Sequence, residues 1–335
     1  MKIAVFEVES WECEAFQDLQ DQHELAFSEA ELDPDIAAEH RDAQIISTFI
    51  YSRLDREVLE KFENLQLIAT RSTGVDHVDT AYCKERGIRV ANVPSYGENT
   101  VAEHVFVLLL AINHHLVEAA DRTRRGDFSQ KGLQGFDLKG KTLGIIGTGH
   151  IGRYTARIAR GFDMRVLAFD VKPDQDAARE IGFEYMDMHE LLGQSDVVSL
   201  HVPGTEKTRH LIGKDEFDAM KDGTVLINTA RGPVVEIRAM LEALSSGKLA
   251  AAGLDVLPEE PVIREEAELL RSVFTREHNL ETLLADHVLL RLRNVIITPH
   301  SAFNTREAVQ RILDTTLHNI HAFLSKEQMN EVAVD

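Results

Sequence analysis

The stretch Thr142-Leu-Gly-Ile-Ile-Gly147-Thr-Gly149-His-Ile-Gly152 carries a G-x-G-x-x-G spacing between an apolar run and a helical pattern. A second apolar run closes on Asp170, about the ~20 residues further on that a dinucleotide-binding unit requires. Each residue type has a physical task. Gly147 permits a tight turn, Gly149 lets the backbone approach a pyrophosphate, and Gly152 lets a helix pack closely on a sheet. The helix start supplies unpaired N–H groups and a positive dipole end for phosphate. Asp170 can accept bonds from both ribose hydroxyls and repels a 2′-phosphate, so NAD is expected rather than NADP. The competing reading is a structural glycine turn with Asp170 as a helix cap.

Three further segments carry residues suited to redox chemistry on a carboxylic acid: Asn228-Thr-Ala-Arg231-Gly, Leu254-Asp255-Val-Leu-Pro-Glu-Glu260-Pro and Thr298-Pro-His300-Ser-Ala. Hydride transfer to a 2-oxo acid needs a fixed cation for the carboxylate, and the planar fork of Arg231 suits it. It needs a proton donor near neutral pH, a role for His300. A carboxylate beside that histidine raises its pKa and orients it, a role for Glu260. Singly, each residue is more often something plainer: a surface or domain-linking ion pair for Arg231, a solvated carboxylate for Glu260, a turn residue for His300. Their common position, at the ends of strands in one repeating unit, is what joins them, because ligands of open α/β sheets bind outside the carboxyl ends of the strands.

The elements that must position these residues alternate along the chain. Ile3–Phe6, His23–Phe27, Gln44–Thr48, Leu65–Thr70 and Ile88–Asn92 read as strands, with helices at Asp55–Phe62 and Asp76–Arg86. Gly97–Asp121 reads as one long helix, apolar on most faces and therefore buried in a core or against a second subunit. After a polar crossing segment, Arg122–Gly140, strands are expected at Thr142–Ile146, Arg165–Asp170, Asp196–His201, Thr224–Asn228, Ala250–Asp255 and Val295–Thr298. Helices are expected at Ile151–Gly161, Met188–Leu192, Lys214–Met220, Val234–Ser246 and, closing the chain, Asn304–Leu324. Such alternation implies parallel sheets covered by helices. The glycine fingerprint normally follows the first strand of its fold. Here it arrives near residue 147, so its domain begins near residue 100 or 140. The expected organisation is α/β with two Rossmann-like or flavodoxin-like parallel-sheet domains. A dinucleotide domain over 100–300 is inserted into a discontinuous substrate domain formed by 1–99 and 301–335.

Composition narrows the class further. The 335 residues are 44% apolar, enough for two cored domains. The formal net charge of −20 argues against nucleic acid or an anionic membrane as partner; a salt-tolerant source would also give so acidic a surface. The apolar run Val105–Ile112 is far short of the ~20 residues that cross a bilayer. Met1–Phe6 reads as a first strand rather than a signal peptide. Cys13 and Cys83 offer neither a disulfide framework nor a metal-ligand spacing, so no metal and a reducing cytoplasm are expected.

With these residues assembled, nearly the whole chain resembles the D-isomer-specific 2-hydroxyacid dehydrogenases. The resemblance rests on Arg71-Ser-Thr-Gly-Val-Asp-His77, Val93-Pro-Ser-Tyr-Gly-Glu-Asn-Thr-Val-Ala-Glu-His104, Gly144–Gly152, Asn228-Thr-Ala-Arg-Gly232 and Thr298-Pro-His300. It implies a cofactor domain inserted into a discontinuous substrate domain, with Arg231, Glu260 and His300 as the catalytic group. It implies cofactor contacts at His150, Ile151, Asp170, Val202, Pro203, Thr208, Thr229, Ala230 and Asp255, with Thr100 as a further one. The family often has Asn where Thr208 stands. It also implies that the Gly74 and Val75 N–H groups hold the substrate carboxylate, and that Tyr51, Tyr96 and Phe303 line a small pocket. These aromatics, and the extra helical stretch in Ile263–Arg293, look like the lactate-dehydrogenase side of the family. The expected substrate is pyruvate or another short 2-oxo acid, and the expected assembly a homodimer. A larger D-2-hydroxy acid, glyoxylate or phosphite are the alternatives within the enzyme class. An NAD-sensing protein like the family's corepressors is the alternative outside it.

Overall fold

The computed structural model describes residues 1–258 and 288–332. The chain divides into two compact units, Met1–Gly97 with Asn304–Asp335, and Glu98–Phe303.

The first unit is built on strands β1 (Lys2–Val5), β2 (Glu24–Phe27), β3 (Ile45–Thr48), β4 (Leu67–Thr70) and β5 (Arg89–Ala91). They form one parallel sheet in the order β2-β1-β3-β4-β5. β3 and β4 are buried along their whole length, as a sheet covered on both faces demands. The short helices α1 (Pro34–Glu39), α2 (Arg56–Leu59) and α3 (Thr80–Arg86) begin on Asp33, Asp55 and Asp79. Each of these aspartates accepts a first-turn N–H, the usual way an N-terminal donor is satisfied. The closing helix, Arg306–Ser325, lies on this sheet and buries Val309, Ile312, Leu313, Thr316 and Ile320 at three- and four-residue spacing.

The second unit contains β6 (Thr142–Ile146), β7 (Arg165–Phe169), β8 (Glu184–Tyr185), β9 (Val197–Leu200), β10 (Thr224–Asn228), β11 (Leu249–Leu254) and β12 (Val295–Ile297). All pair in parallel in the order β12-β11-β10-β9-β6-β7-β8. Among the described residues its helices are α4 (Glu98–Asn113), α5 (Leu116–Arg124), α6 (His150–Gly161), α7 (Gln175–Ile181), α8 (Met188–Gln194), α9 (Lys214–Ala219) and α10 (Ile237–Ser246). No single described helix is long and apolar enough to cross a membrane.

The long helix expected over Gly97–Asp121 is two helices, α4 and α5, bent by 61°. The break is at His115, which takes φ 49°. The crossing segment supplies the cause. Phe136 N–H donates to the Asn113 carbonyl at the end of α4, and the Asn113 side chain donates back to the Phe136 carbonyl at 2.9 Å. The last carbonyl of α4 is thereby engaged by the crossing segment rather than by another helical turn.

Candidate active site

The order of the second sheet reverses at β6. β7 and β8 lie to one side of it, and β9 through β12 to the other. Because all strands are parallel, the segments after β6, β7, β9, β10, β11 and β12 emerge at one edge. That edge is where an open α/β sheet binds its ligands.

β6 ends in Gly147, at φ 97°, where an added Cβ would lie 2.4 Å from the His201 carbonyl oxygen after β9. Gly152, on the first turn of α6, would place a Cβ 2.1 Å from the Gly147 oxygen. Only glycine permits both the turn and the approach of α6 to it. α6 starts at Gly149 with no side-chain cap, so its leading N–H groups face outward for an acceptor from elsewhere. Asp170, just past β7, accepts from Thr148 N at 2.6 Å, from the Thr148 hydroxyl at 2.9 Å and from Lys172 N at 2.8 Å. Burial works to raise the Asp170 carboxyl. These hydrogen bonds and the Arg153 charge outweigh it, and hold the group below the ordinary carboxylate range. The neighbouring hydroxyls are ordered by elimination. Asp174 N–H donates to the Tyr185 oxygen at 3.1 Å, Tyr185 lies 2.7 Å from the Thr148 hydroxyl, and Thr148 donates to the carboxylate. A single proton direction therefore runs from Tyr185 through Thr148 to Asp170.

The second group lies at the ends of β10, β11 and β12, which are adjacent and in register at Asn228–Leu254 and Leu254–Ile297. Arg231 follows β10 and donates to the Ala230 carbonyl at 2.8 Å. Ala230 N–H is taken by the Asn228 side chain, so the turn that presents Arg231 is tied to its own strand. Gly232 sits against Leu257 and Pro258, where an added Cβ would lie 2.2 Å from the Leu257 carbonyl carbon. The turn bearing Arg231 thus touches the stretch that leads toward Glu260. Glu260 itself, and residues 263–287 of the extra helical stretch, lie outside the described residues.

His300 takes φ 50°, an uncommon conformation for a non-glycine residue. The turn is held from several sides. His300 N–H donates to the Asp255 and Thr298 carbonyls at 3.0 and 2.9 Å. The Asp255 carboxylate, 1% exposed, accepts from Ser301 N and Ala302 N, each at 2.9 Å, and from the Thr298 hydroxyl. His104 of α4 approaches with Nε2 3.0 Å from Thr298 Oγ1 and 3.4 Å from Asp255 Oδ1. Thr298 spends its one hydroxyl proton on Asp255, so its oxygen can only accept from His104, and Nε2 carries the proton. Burial pushes the Asp255 carboxyl up, but the bonds from His104, Thr298 and Ala302 prevail and hold it below the ordinary range. Asp255, expected as a cofactor contact, thus has its oxygens committed to the turn that carries His300.

A dinucleotide fits these residues. Thr229 Oγ1, at the end of β10, is buried with no hydrogen-bond partner among the described residues, and so is a polar atom awaiting an acceptor or donor. The uncapped start of α6 supplies the anion site and Asp170 a carboxylate at the end of β7.

A family model, D-isomer specific 2-hydroxyacid dehydrogenase, NAD binding domain, matches residues 106–302. The chain belongs to the D-isomer specific 2-hydroxyacid dehydrogenases. These are oxidoreductases acting on CH–OH groups, and this member carries the family's NAD-binding domain. It is 36% identical over 327 residues to a D-lactate dehydrogenase of Escherichia coli (strain K12), covering 96% of each chain. It is 36% identical over 294 residues to a glyoxylate reductase of Thermococcus litoralis, covering 86% of this chain and 82% of that one. Among solved structures, a D-lactate dehydrogenase from Aquifex aeolicus complexed with NAD and lactic acid superposes with a TM-score of 0.85 at 36% identity, over 97% of this chain and 96% of that one.

The remaining expected site residues of the dehydrogenase are placed as follows. Val202 and Pro203 follow β9 beside the Gly147 turn, and the Thr208 hydroxyl closes that loop on the Pro203 carbonyl at 2.6 Å. Burial pushes the nearby His201 down to about 3, so its ring is neutral. Thr100 is buried on the first turn of α4. Phe303 ends the second unit. Tyr51, Gly74, Val75 and Tyr96 belong to the first unit. There Tyr51 follows β3, while Gly74 and Val75 follow β4. Among the described residues, neither the Gly74 nor the Val75 N–H finds an acceptor. Sequence reasoning assigned nothing to His104, Thr298 or Tyr185. The available signal for His104 was a single imidazole on an otherwise apolar helix face.

Proposed function

We propose that this dehydrogenase is NAD-dependent and reduces a short 2-oxo acid, most simply pyruvate to D-lactate. The observation that carries the reading is the His300 turn at the end of β12. It is locked by a buried carboxylate, on the same sheet edge as Arg231 and the Gly147 turn. When bound, NADH supplies the hydride. The Arg231 guanidinium takes the substrate carboxylate and polarises the neighbouring carbonyl. His300 gives a proton to the carbonyl oxygen as it becomes an alkoxide, with Glu260 proposed as its carboxylate partner. Gly147, Gly149, His150, Ile151 and Gly152 receive the pyrophosphate, with Val202, Pro203, Thr229 and Ala230 beside it. Asp170 receives the adenosine ribose. Three donors already occupy its roughly four acceptor positions, which leaves room for about one hydroxyl rather than two. A 2′-phosphate would meet its negative charge, so NADH is preferred.

The test follows absorbance at 340 nm with NADH and a panel of pyruvate, glyoxylate and larger 2-oxo acids. His300→Ala is expected to cut turnover roughly 10²–10⁴-fold. Near-normal pyruvate reduction by that variant would overturn the assignment. Glyoxylate is the second candidate substrate, favoured by the similarity to the Thermococcus glyoxylate reductase. A homodimer is also proposed. Val107, Leu116 and Val117 of α4 and α5 stand 57–58% exposed, an apolar surface that a second copy would cover.

A further inference from the structure

We propose that Glu7 is a specificity-determining positioning residue: its carboxylate fixes the Tyr51–Ser52 loop of the first unit, and so sets which 2-oxo acid side chain the enzyme accepts. The proposal rests on the 2-oxo acid reductase reading above and on the place in the small pocket that the family resemblance implies for Tyr51.

Topology gives the place. The sheet order β2-β1-β3-β4-β5 reverses between β1 and β3. Ligands of such sheets bind outside the carboxyl ends of the strands at that reversal. β1 runs out into Phe6 and Glu7, and β3 into Phe49 and Tyr51, so Glu7 and Tyr51 belong to the two segments that flank the crevice.

Local structure gives the device. Glu7 takes φ 54°, a conformation that a residue with a Cβ keeps only where its surroundings over-determine it. From below, the guanidinium of Arg71, 2% exposed at the end of β4, donates to the Glu7 and Phe6 carbonyls at 2.5 and 2.8 Å. Glu7 N–H donates to the Ala30 carbonyl at 3.2 Å. The side chain then reaches across to the β3 segment. One carboxylate oxygen accepts from Tyr51 N at 3.0 Å, and the other from Ser52 N at 2.9 Å and from the Ser52 hydroxyl. Ser52 Oγ in turn accepts from Leu32 N at 2.8 Å. Two consecutive amides and a hydroxyl on one carboxylate leave the loop little freedom. The Tyr51 ring rests edge-on against Phe49 at 5.5 Å, so its position follows the backbone that Glu7 holds. Both carboxylate oxygens are engaged by the Tyr51–Ser52 loop, so Glu7 acts through the position of Tyr51. Small displacements suffice, because one methylene in an apolar pocket already separates substrates by roughly 10–200-fold.

The experiment compares wild type, Glu7→Gln and Ser52→Ala. It measures kcat and KM for pyruvate, 2-oxobutyrate and phenylpyruvate, and KM for NADH. Gln sets an amide N–H₂ against a backbone N–H and must shift the loop. Ala deletes the hydroxyl bond and leaves both amides in place. In Glu7→Gln the pyruvate-to-phenylpyruvate ratio of kcat/KM is expected to change at least fivefold, through KM of the 2-oxo acid, while the NADH KM stays within twofold. Ser52→Ala should shift the ratio in the same direction by less, and it decides the matter if Glu7→Gln does not fold. Ratios within twofold of wild type in the folded variants would overturn the proposal. So would losses spread equally over every substrate and NADH, the mark of a merely structural role. A wild type that reduces none of the three acids defeats the functional reading itself, and is recognised before any variant is compared.

Discussion

Replacing Asp255 by Asn keeps the shape of the side chain and removes its charge, which isolates what the carboxylate does for the His300 turn. One oxygen accepts from Ser301 N and the Thr298 hydroxyl, and the other from Ala302 N. An amide has one acceptor oxygen. Whichever way it turns, its N–H₂ meets a backbone N–H of Ser301 or Ala302, and a buried donor left without an acceptor costs about 1–3 kcal/mol. The surviving bonds also lose their charge. Bonds to charged groups contribute about 1.5–3 kcal/mol against about 0.5–1.5 for neutral ones, so the two that remain weaken by about 1 kcal/mol each. At the low end of these ranges the turn is expected to lose roughly 3 kcal/mol, or about 10²-fold in its closed-to-open ratio. The His300 N–H bonds to main-chain carbonyls stay intact, so the loss is local. Hydrogen exchange by mass spectrometry on a peptide spanning 296–305 reads it directly: protection of the Ser301 and Ala302 amides should fall about 100-fold at pH 7. The pH dependence has a definite sign. The folded-state pKa of Asp255 is depressed. Its stabilisation is therefore fully present above the unfolded value of about 3.9 and is lost only as pH falls through the lower folded value. Wild-type protection should persist to pH 4 and decline below it, whereas the Asn variant should show no such step. Protection within threefold of wild type at pH 7 would refute the bond accounting.

Gly152→Ala sets a Cβ 2.1 Å from the Gly147 oxygen, a backbone clash that side-chain rotation cannot relieve. Overpacking of about 1–3 kcal/mol should raise the NADH KM about tenfold or more, and an unchanged KM would contradict the close packing. Asp170→Ser removes the charge that faces a 2′-phosphate. The NADPH-to-NADH ratio of kcat/KM should rise at least about tenfold, and a constant ratio would show that Asp170 does not choose the cofactor. Burial pushes the Cys83 thiol up to about 12. A thiol reagent at pH 8 should therefore modify Cys83 only after unfolding, and two reactive thiols in the native protein would contradict this.

How much of this was legible beforehand follows from sequence distance. The strands Thr142–Ile146 and Thr224–Asn228 coincide with the apolar runs that announced them, because a strand buried on both faces leaves its composition in consecutive residues. The fingerprint from Gly147 to Asp170 was equally readable, since one strand, turn, helix and strand hold it together. The two-residue strand β8 and the helix α7 before it escaped notice, because neither is long enough to show a period. The break between α4 and α5 was hidden for a different reason. An apolar pattern runs through it, and the residue that ends the helix is engaged by Phe136, far along the chain.

The same distinction separates the parts of the candidate site. Arg231 and His300 stood out because arginine and histidine at strand ends have few bland explanations in combination. Asp255 came in only through the family resemblance, as a cofactor contact, and its carboxylate holds the turn that carries His300, a task no local pattern announces. Its partners Thr298 and His104 stand 43 and 151 positions from it, and although both fall in motifs that carry the resemblance, nothing in either motif ties them to Asp255. Glu7 is a still sharper case. It sits among other acidic residues near the start of the chain, where a glutamate reads as solvated, and its carboxylate instead closes on Tyr51 and Ser52. A residue that acts through another residue's backbone leaves no pattern in its own neighbourhood. Positive φ at Glu7 and His300 is the shared trace: in both, a side chain with a Cβ is held in a glycine-like conformation by a buried charged group. If that trace marks function, relieving it should be informative. Glu7→Gly suits the backbone and deletes the clamp, so it should preserve folding while relaxing substrate discrimination as Glu7→Gln does. A Gly variant that discriminates like wild type would show that neither the carboxylate nor the strained backbone of Glu7 sets specificity, and would overturn the role given to it.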